Sequence, residues 1–210
     1  RNIKALPMPR AQVLPFTLEE VQLILTKVRA DYRPYFTVRF FTGMRTGEID
    51  GLCWDNVDFG ARLIHIHQSL VRGKVGPTKT SGSHRTIAMS QRVYEALREQ
   101  WGFSGEKSTF VFCARNGEPL NHRNVAQRVW YPLLANLKLE KRNPYQTRHT
   151  AATLWLAAGE NPEWIARQLG HSTTSMLFRV YSRYVPNLVG RDGAAFEQLL
   201  DGELDLEDEV

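Results

Sequence analysis

Twice in the C-terminal third of this chain an asparagine stands directly before a proline, at Asn143-Pro144 and Asn161-Pro162. Asparagine caps the first free N–H groups of a helix, and proline at the first helical position forfeits no hydrogen bond. Each pair therefore marks a helix start. The first predicts a helix carrying Arg148 about one turn in, with Thr153, Leu154 and Leu156 after it. The second predicts a helix that stops at Leu169-Gly170, since glycine ends helices readily. His171 follows that stop. A further helix over 172–184 puts Tyr181 near its far end.

Upstream, Thr17-Leu18-Glu19-Glu20 reads as a capping box. It opens a helix to about Ala30 with Val21, Ile24, Leu25 and Val28 on one face. An aromatic-rich helix over 33–42 should be deeply buried, and Gly43 ends it. Arg45 then lies in a turn between Gly43 and Gly47, with Thr46 able to cap a short helix containing Glu48, Ile49 and Leu52. Such an arginine can approach a ligand, or it can pair with Glu48 on the surface.

The period changes over 61–89, where residues 62–67 and 84–89 alternate as strands do and Gly73 and Gly76-Pro77 mark turns. Lys79 falls in the loop 78–83. His65 and His67 share a strand face, but a metal needs more ligands than two, and no third lies near in sequence, so they read as exposed histidines. Helices follow over 91–101 and from an Asn121 cap to about Leu137, with a short buried segment at Phe110, Val111 and Phe112 between them. His122, Arg123, Gln127 and Arg128 form the polar start of the second of these helices, and Val129, Trp130, Leu133 and Leu134 its packing face. The expected fold class is α+β: a mostly helical domain with a small antiparallel three-stranded sheet.

A chain of 210 residues can bury one real core. No apolar run approaches the roughly 18 residues of a membrane span. Cys53 and Cys113 read as reduced core thiols of a cytosolic protein. The charge is uneven. The chain holds 27 basic and 22 acidic residues, and the segment 194–210 holds seven of the acids and no base. Residues 1–193 thus carry 27 basic and 15 acidic residues, a net of +12, which suits nucleic acid. Residues 1–15, with three prolines, read as a linker from a preceding domain; 16–193 read as the domain itself. The acidic tail 194–210 is expected either to be disordered or to dock on a basic or apolar groove.

Two arginines, a histidine and a tyrosine are the parts needed to hold a phosphodiester and attack it. Guanidiniums form bidentate, permanently charged bonds to phosphate oxygens, and a tyrosine hydroxyl is a nucleophile. The segments TGMRTGEIDGL, TKTSGSHRTIAM, YQTRHTAATLWLAAG and LGHSTTSMLFRVYSRY, in this order, resemble the tyrosine recombinases, in particular phage and integrative-element integrases. The resemblance spans roughly residues 16–190, the catalytic domain of that family.

The resemblance implies a site-specific recombinase that cleaves and rejoins DNA through a 3′-phosphotyrosyl link, without metal, cofactor or ATP, to integrate or excise a prophage or mobile element. It implies Arg45 and Arg148 as phosphate-clamping arginines, Glu48 as support of the first, Lys79 as general acid, His171 as a further donor and Tyr181 as nucleophile. Two departures stand out. Tyr145 occupies the position, three residues before Arg148, where the family has histidine. His171 and Tyr181 are ten residues apart rather than nine, which leaves Tyr184 as a rival nucleophile. Proximity to two arginines is expected to favour the Tyr181 anion. The implied partners are double-stranded DNA attachment sites, a homotetramer on DNA, and accessory bending or directionality proteins, all in the bacterial cytoplasm. His122, Arg123 and Gln127 are candidates for major-groove contact. Two alternatives remain: a type IB topoisomerase-like nicking and sealing enzyme, and a DNA-binding domain without catalysis.

Overall fold

The structure, a computed structural model, describes residues 12–71, 73–77, 84–171 and 173–181. Lys79, Tyr184 and the acidic tail lie outside the described residues.

Helix α1 (Leu18–Lys27) opens on the expected capping box, Thr17 Oγ1 accepting from Glu20 N and Glu20 Oε2 from Thr17 N. It stops short of Ala30 because Val28 is extended, and Ala30–Tyr32 form a 3-10 turn instead. Helix α2 (Arg33–Thr42) is buried almost all round, through Tyr35, Phe36, Val38 and Phe40, and ends at Gly43, whose φ is +61°. Helix α3 (Thr46–Asp50) is capped one residue earlier than expected. Arg45 holds the cap position, and the Thr46 hydroxyl accepts from the buried Arg39 (3.0 Å).

The antiparallel three-stranded sheet is present, in the order β1 (Val57–Asp58), β2 (Leu63–Ile66), β5 (Arg85–Ala88). Ile64 faces Ile87 across the β2–β5 pair, and both are buried. Strands β3 (Gln68–Val71) and β4 (Lys74–Pro77) form a separate hairpin, so the sequence between β2 and β5 is not a third strand of the same sheet. His67 and His84 come ring to ring (5.7 Å), beside the stacked His65–His67 pair. Among the described residues no three His, Cys, Asp or Glu side chains are arranged to hold a metal ion.

Helix α4 (Gln91–Ser104) outruns its expected end at Trp101. The Ser104 hydroxyl and the Gln100 amide both donate to Val111 O (2.7 and 2.9 Å) and tie the last turn to the buried segment 110–112. Helices α5 (His122–Val125) and α6 (Tyr131–Asn136) are joined by a wider π turn over Ala126–Trp130. Trp130 of that turn stacks on Phe36 (5.0 Å between centroids) and meets Phe16 edge-on. Cys53 and Cys113 are free thiols, half-buried at the edges of this core rather than inside it.

Helix α7 (Gln146–Ala157) begins two residues later than the Asn-Pro signal, with Tyr145 at its cap. Asn143 Oδ1 accepts from Tyr145 N (3.0 Å), and the Pro144 carbonyl accepts from the Thr147 hydroxyl (2.8 Å), so the pair shapes a turn before the helix. Asn161 caps α8 (Pro162–Leu169) as expected. Helix α9 (Thr174–Tyr181) closes the described chain. The core has two parts. A large cluster surrounds α2, and a smaller one of Val13, Ala152, Leu156, Ile165, Leu169, Leu177 and Tyr181 joins α7, α8 and α9. No helix among the described residues is long and apolar enough to cross a membrane.

Candidate active site

The site is built around the C-terminus of α8. Gly170, at φ +66°, lets the chain close a double turn in which Gly170 N donates to Arg167 O (3.0 Å) and His171 N to Ala166 O (2.9 Å). That pattern leaves the last helix carbonyls facing outward, carrying the partial negative charge of the helix end. Three arginines from distant parts of the chain meet them. Arg85 Nε donates to Gln168 O (2.7 Å), Arg148 Nη2 to Leu169 O (2.6 Å) and Arg45 Nη2 to Gly170 O (3.0 Å). Arg148 also donates through Nη1 to Gly43 O (2.6 Å), the turn between α2 and α3.

Glu48 binds two of these cations. Its Oε1 lies 2.8 Å from Arg45 Nη1 and 2.9 Å from Arg85 Nη1, and its Oε2 lies 2.7 Å from Arg85 Nη2. Arg45 does pair with Glu48, but not as a surface ion pair, because the carboxylate side chain is only 2% exposed. Burial alone would raise the Glu48 pKa; the bonds from Arg85 and Arg45 outweigh it and hold the carboxylate at about 2. Arg45 remains a third open to solvent, whereas Arg148 is almost wholly enclosed. Burial lowers the Arg148 pKa, with the charges of Arg45 and Arg85 adding to it and Tyr145 and Glu48 opposing.

His171 is fixed by the helix stop. Its Nδ1 is buried and makes no hydrogen bond among the described residues. Burial first, then the charges of Arg148, Arg45 and Arg85, lower its pKa to about 4, so the ring is neutral at physiological pH. Tyr181 comes from α9 and is buried to 2% exposure. Its hydroxyl meets not an arginine but His149 Nδ1, at 2.9 Å. Burial pushes the Tyr181 phenol up to about 12, and the charge of Arg148 offsets this only in part. The expectation that two arginines would favour the anion is thus corrected: in this enclosed position desolvation wins. Tyr145 stands at the mouth, 40% exposed, its ring edge-on to His149 (5.1 Å).

The fold therefore gathers Arg45, Glu48, Arg148 and His171 at one helix end, with Tyr145 and Tyr181 flanking His149 beside Arg148. His122, Arg123 and Gln127 stand exposed on α5 and the following π turn, and take no part in this cluster. Two clefts of about 500 and 560 Å³ lie elsewhere, one between α1, α2 and α4 and one beside Tyr35 and Phe112. Two further residues join the site, Arg85 and His149. Arg85 shares its strand face with the buried Ile87, and a cation on an apolar face demands a carboxylate. His149 lies four residues after Tyr145, which on a helix is the same face.

The phage integrase family matches residues 16–186. The prophage integrase IntR of Escherichia coli (strain K12) is 28% identical over 211 residues, covering 89% of this chain and 51% of that protein. An integrase of Streptomyces ambofaciens is 30% identical over 172 residues, covering 72% and 44%. The chain spans about half the length of the curated relatives it matches. Among solved structures, the Tn1549 transposon integrase in complex with circular intermediate DNA superposes with a TM-score of 0.73 at 23% identity, over 90% of this chain and 67% of that one. The catalytic domain of bacteriophage HP1 integrase gives 0.58 at 17% identity, over 88% and 95%. These two show the same fold.

Proposed function

Because the chain belongs to the phage integrase family, we propose that it is the catalytic part of a site-specific recombinase that integrates and excises a prophage or other mobile element. The reaction is cleavage and rejoining of DNA through a 3′-phosphotyrosyl intermediate, driven without metal or ATP. The observation that carries this reading is the convergence of Arg45 and Arg148 on the end of α8, beside His171 and a buried tyrosine.

A phosphodiester resists attack because it is already negative. Two guanidiniums, each with five N–H donors in a fixed fork, stabilise the further charge of the transition state. Glu48 holds Arg45 from behind and leaves the exposed part of its side chain toward solvent and substrate. The Nδ1 of His171 supplies another polar contact to the same oxygens. Tyr181 Oη attacks phosphorus, the 5′-oxygen leaves, and Lys79 gives that oxygen its proton. The phosphotyrosyl bond keeps the energy of the diester, so attack by another 5′-hydroxyl rejoins the strands. His122, Arg123 and Gln127 contact the major groove, the basic body follows the phosphates, and four copies assemble on two duplexes in the cytoplasm with accessory bending or directionality proteins.

The test is a covalent protein–DNA adduct on a denaturing gel, using a duplex that carries the junction sequence flanking the encoding element. Tyr181→Phe should abolish the adduct and leave DNA affinity nearly intact. Adduct that survives in Tyr181→Phe and vanishes in Tyr184→Phe would move the nucleophile to Tyr184. Adduct formation separates the enzyme from a DNA-binding domain without catalysis; joined products from two duplexes separate it from a nicking and sealing enzyme.

A further inference from the structure

We propose that His149 accepts the proton of the Tyr181 hydroxyl during cleavage, supplying from the next turn of α7 the imidazole that position 145 lacks. The proposal rests on the recombinase reading above and assigns a catalytic residue to it.

The geometry is direct. His149 Nδ1 lies 2.9 Å from Tyr181 Oη, within hydrogen-bond reach for proton transfer. Helices α7 and α9 pack together in the smaller core, so both partners are held by buried neighbours. Tyr145 is the wrong chemistry for the task, because a phenol hydroxyl is a poor proton acceptor near neutrality. Its ring instead packs edge-on against His149.

The groups facing His149 set when it acts. Arg148, adjacent on α7, opposes a second positive charge; Tyr145 lies one turn before it, Tyr181 faces it from α9, and His171 lies within electrostatic reach at the end of α8. Burial and then Arg148 lower the His149 pKa to about 4, which keeps the ring in its proton-accepting form. With Tyr181 pushed up to about 12, no proton moves in the DNA-free chain. A phosphodiester bound beside Arg148 brings the negative charge that stabilises an imidazolium. The Oη–H bond then breaks as the Oη–P bond forms, and the proton passes to Nδ1. The P–O5′ electron pair leaves with the 5′-oxygen, which takes its proton from a second group. Religation reverses each step, and His149 returns the proton to Oη.

Acceptance requires that the ring hydrogen sit on Nε2. Two measurements on the full chain test this. In ¹⁵N-histidine NMR spectra without DNA, His149 should be the neutral Nε2–H tautomer with Nδ1 as acceptor; an Nδ1–H ring would overturn the proposal. In single-turnover reactions on a nicked duplex carrying the element junction, His149→Ala should slow adduct formation about 100-fold or more. DNA affinity should stay within about threefold, and added imidazole should restore part of the rate. His149→Asn keeps a hydrogen bond to Tyr181 but cannot act as a base, so it should stay slow; circular dichroism checks that both variants fold. A wild-type rate in His149→Asn would reduce His149 to positioning and defeat the proposal, as would a His149→Ala rate within threefold of wild type. Failure of the wild-type chain itself to form adduct would instead sink the recombinase reading, and the catalytic role with it.

Discussion

His149 and His171 are both imidazoles kept neutral by burial and by neighbouring guanidiniums, each with a pKa lowered from 6.5 to about 4. At these two sites the folded chain binds fewer protons than the unfolded chain between about pH 4 and 6.5, so their contribution to stability should rise with pH through that window; Asp50, whose carboxyl pKa burial raises to about 6, works in the opposite direction. Each ring is only partly buried, so its share is on the order of 1 kcal/mol after solvent screening. Urea titrations of the DNA-free chain at pH 7 and pH 4.5 measure this. His149→Gln and His171→Gln should each flatten the difference; an unchanged slope in both would mean that neither ring is depressed in the fold. The same neutral state suits the proposed proton transfer, since an imidazole that is already protonated cannot take a proton from Tyr181.

At the scale of elements, the end of α8 does the assembling. Its final carbonyls hold Arg85, Arg148 and Arg45, which arrive from β5, α7 and the α2–α3 turn. All of this depends on Gly170, whose left-handed φ costs an L-residue roughly 1–2 kcal/mol. A Cβ there would also lie 3.2 Å from Arg85 Cδ and Nη1 and 3.4 Å from Arg45 Nη1. Gly170→Ala should lose about that much stability and cleave DNA far more slowly than the stability loss alone explains. Gly170→Asn tolerates the backbone angle better but carries the same Cβ. If crowding of the arginines matters, Gly170→Asn should recover stability in a thermal melt without recovering adduct rate. Parallel recovery of both would leave backbone strain as the whole effect.

Across the whole molecule, Glu48 ties α3 to β5 through its ion pair with Arg85. Glu48 and Arg85 are both buried, at 2% and 6% side-chain exposure. Removing one partner of such a pair strands the other charge, which costs about 3–5 kcal/mol. Glu48→Ala should therefore lower the urea-unfolding free energy by that amount at pH 7. Because its folded pKa is held at about 2, below the ordinary 4.5, the contribution is present above 4.5 and lost as pH falls toward 2. A loss below about 1 kcal/mol at neutral pH would mean that water reaches Arg85 once Glu48 is gone. On the proposed reading, the net +12 of residues 1–193 adds a long-range attraction for DNA phosphates, which salt should weaken.

What the sequence by itself determined was local or additive. Capping chemistry located α1 and α8, Gly43 and Gly170 marked helix stops, alternation found β2 and β5, and summed charge pointed to nucleic acid. Four motifs in order carry the resemblance that implies roles for Arg45, Arg148, His171 and Tyr181. What only the tertiary structure decided was which of these groups touch and in what charge state. Arg45 and Gly170 are 125 residues apart, and no local pattern couples them. In the sequence Arg85 looks like one residue of an alternating strand, because its carboxylate partner lies in another element. His149 carried no signal beyond its helical phase until α9 brought Tyr181 against it. The Tyr181 pKa had the wrong predicted sign because proximity to cations can be inferred from a motif, whereas the depth of burial that outweighs them is a property of the packed fold.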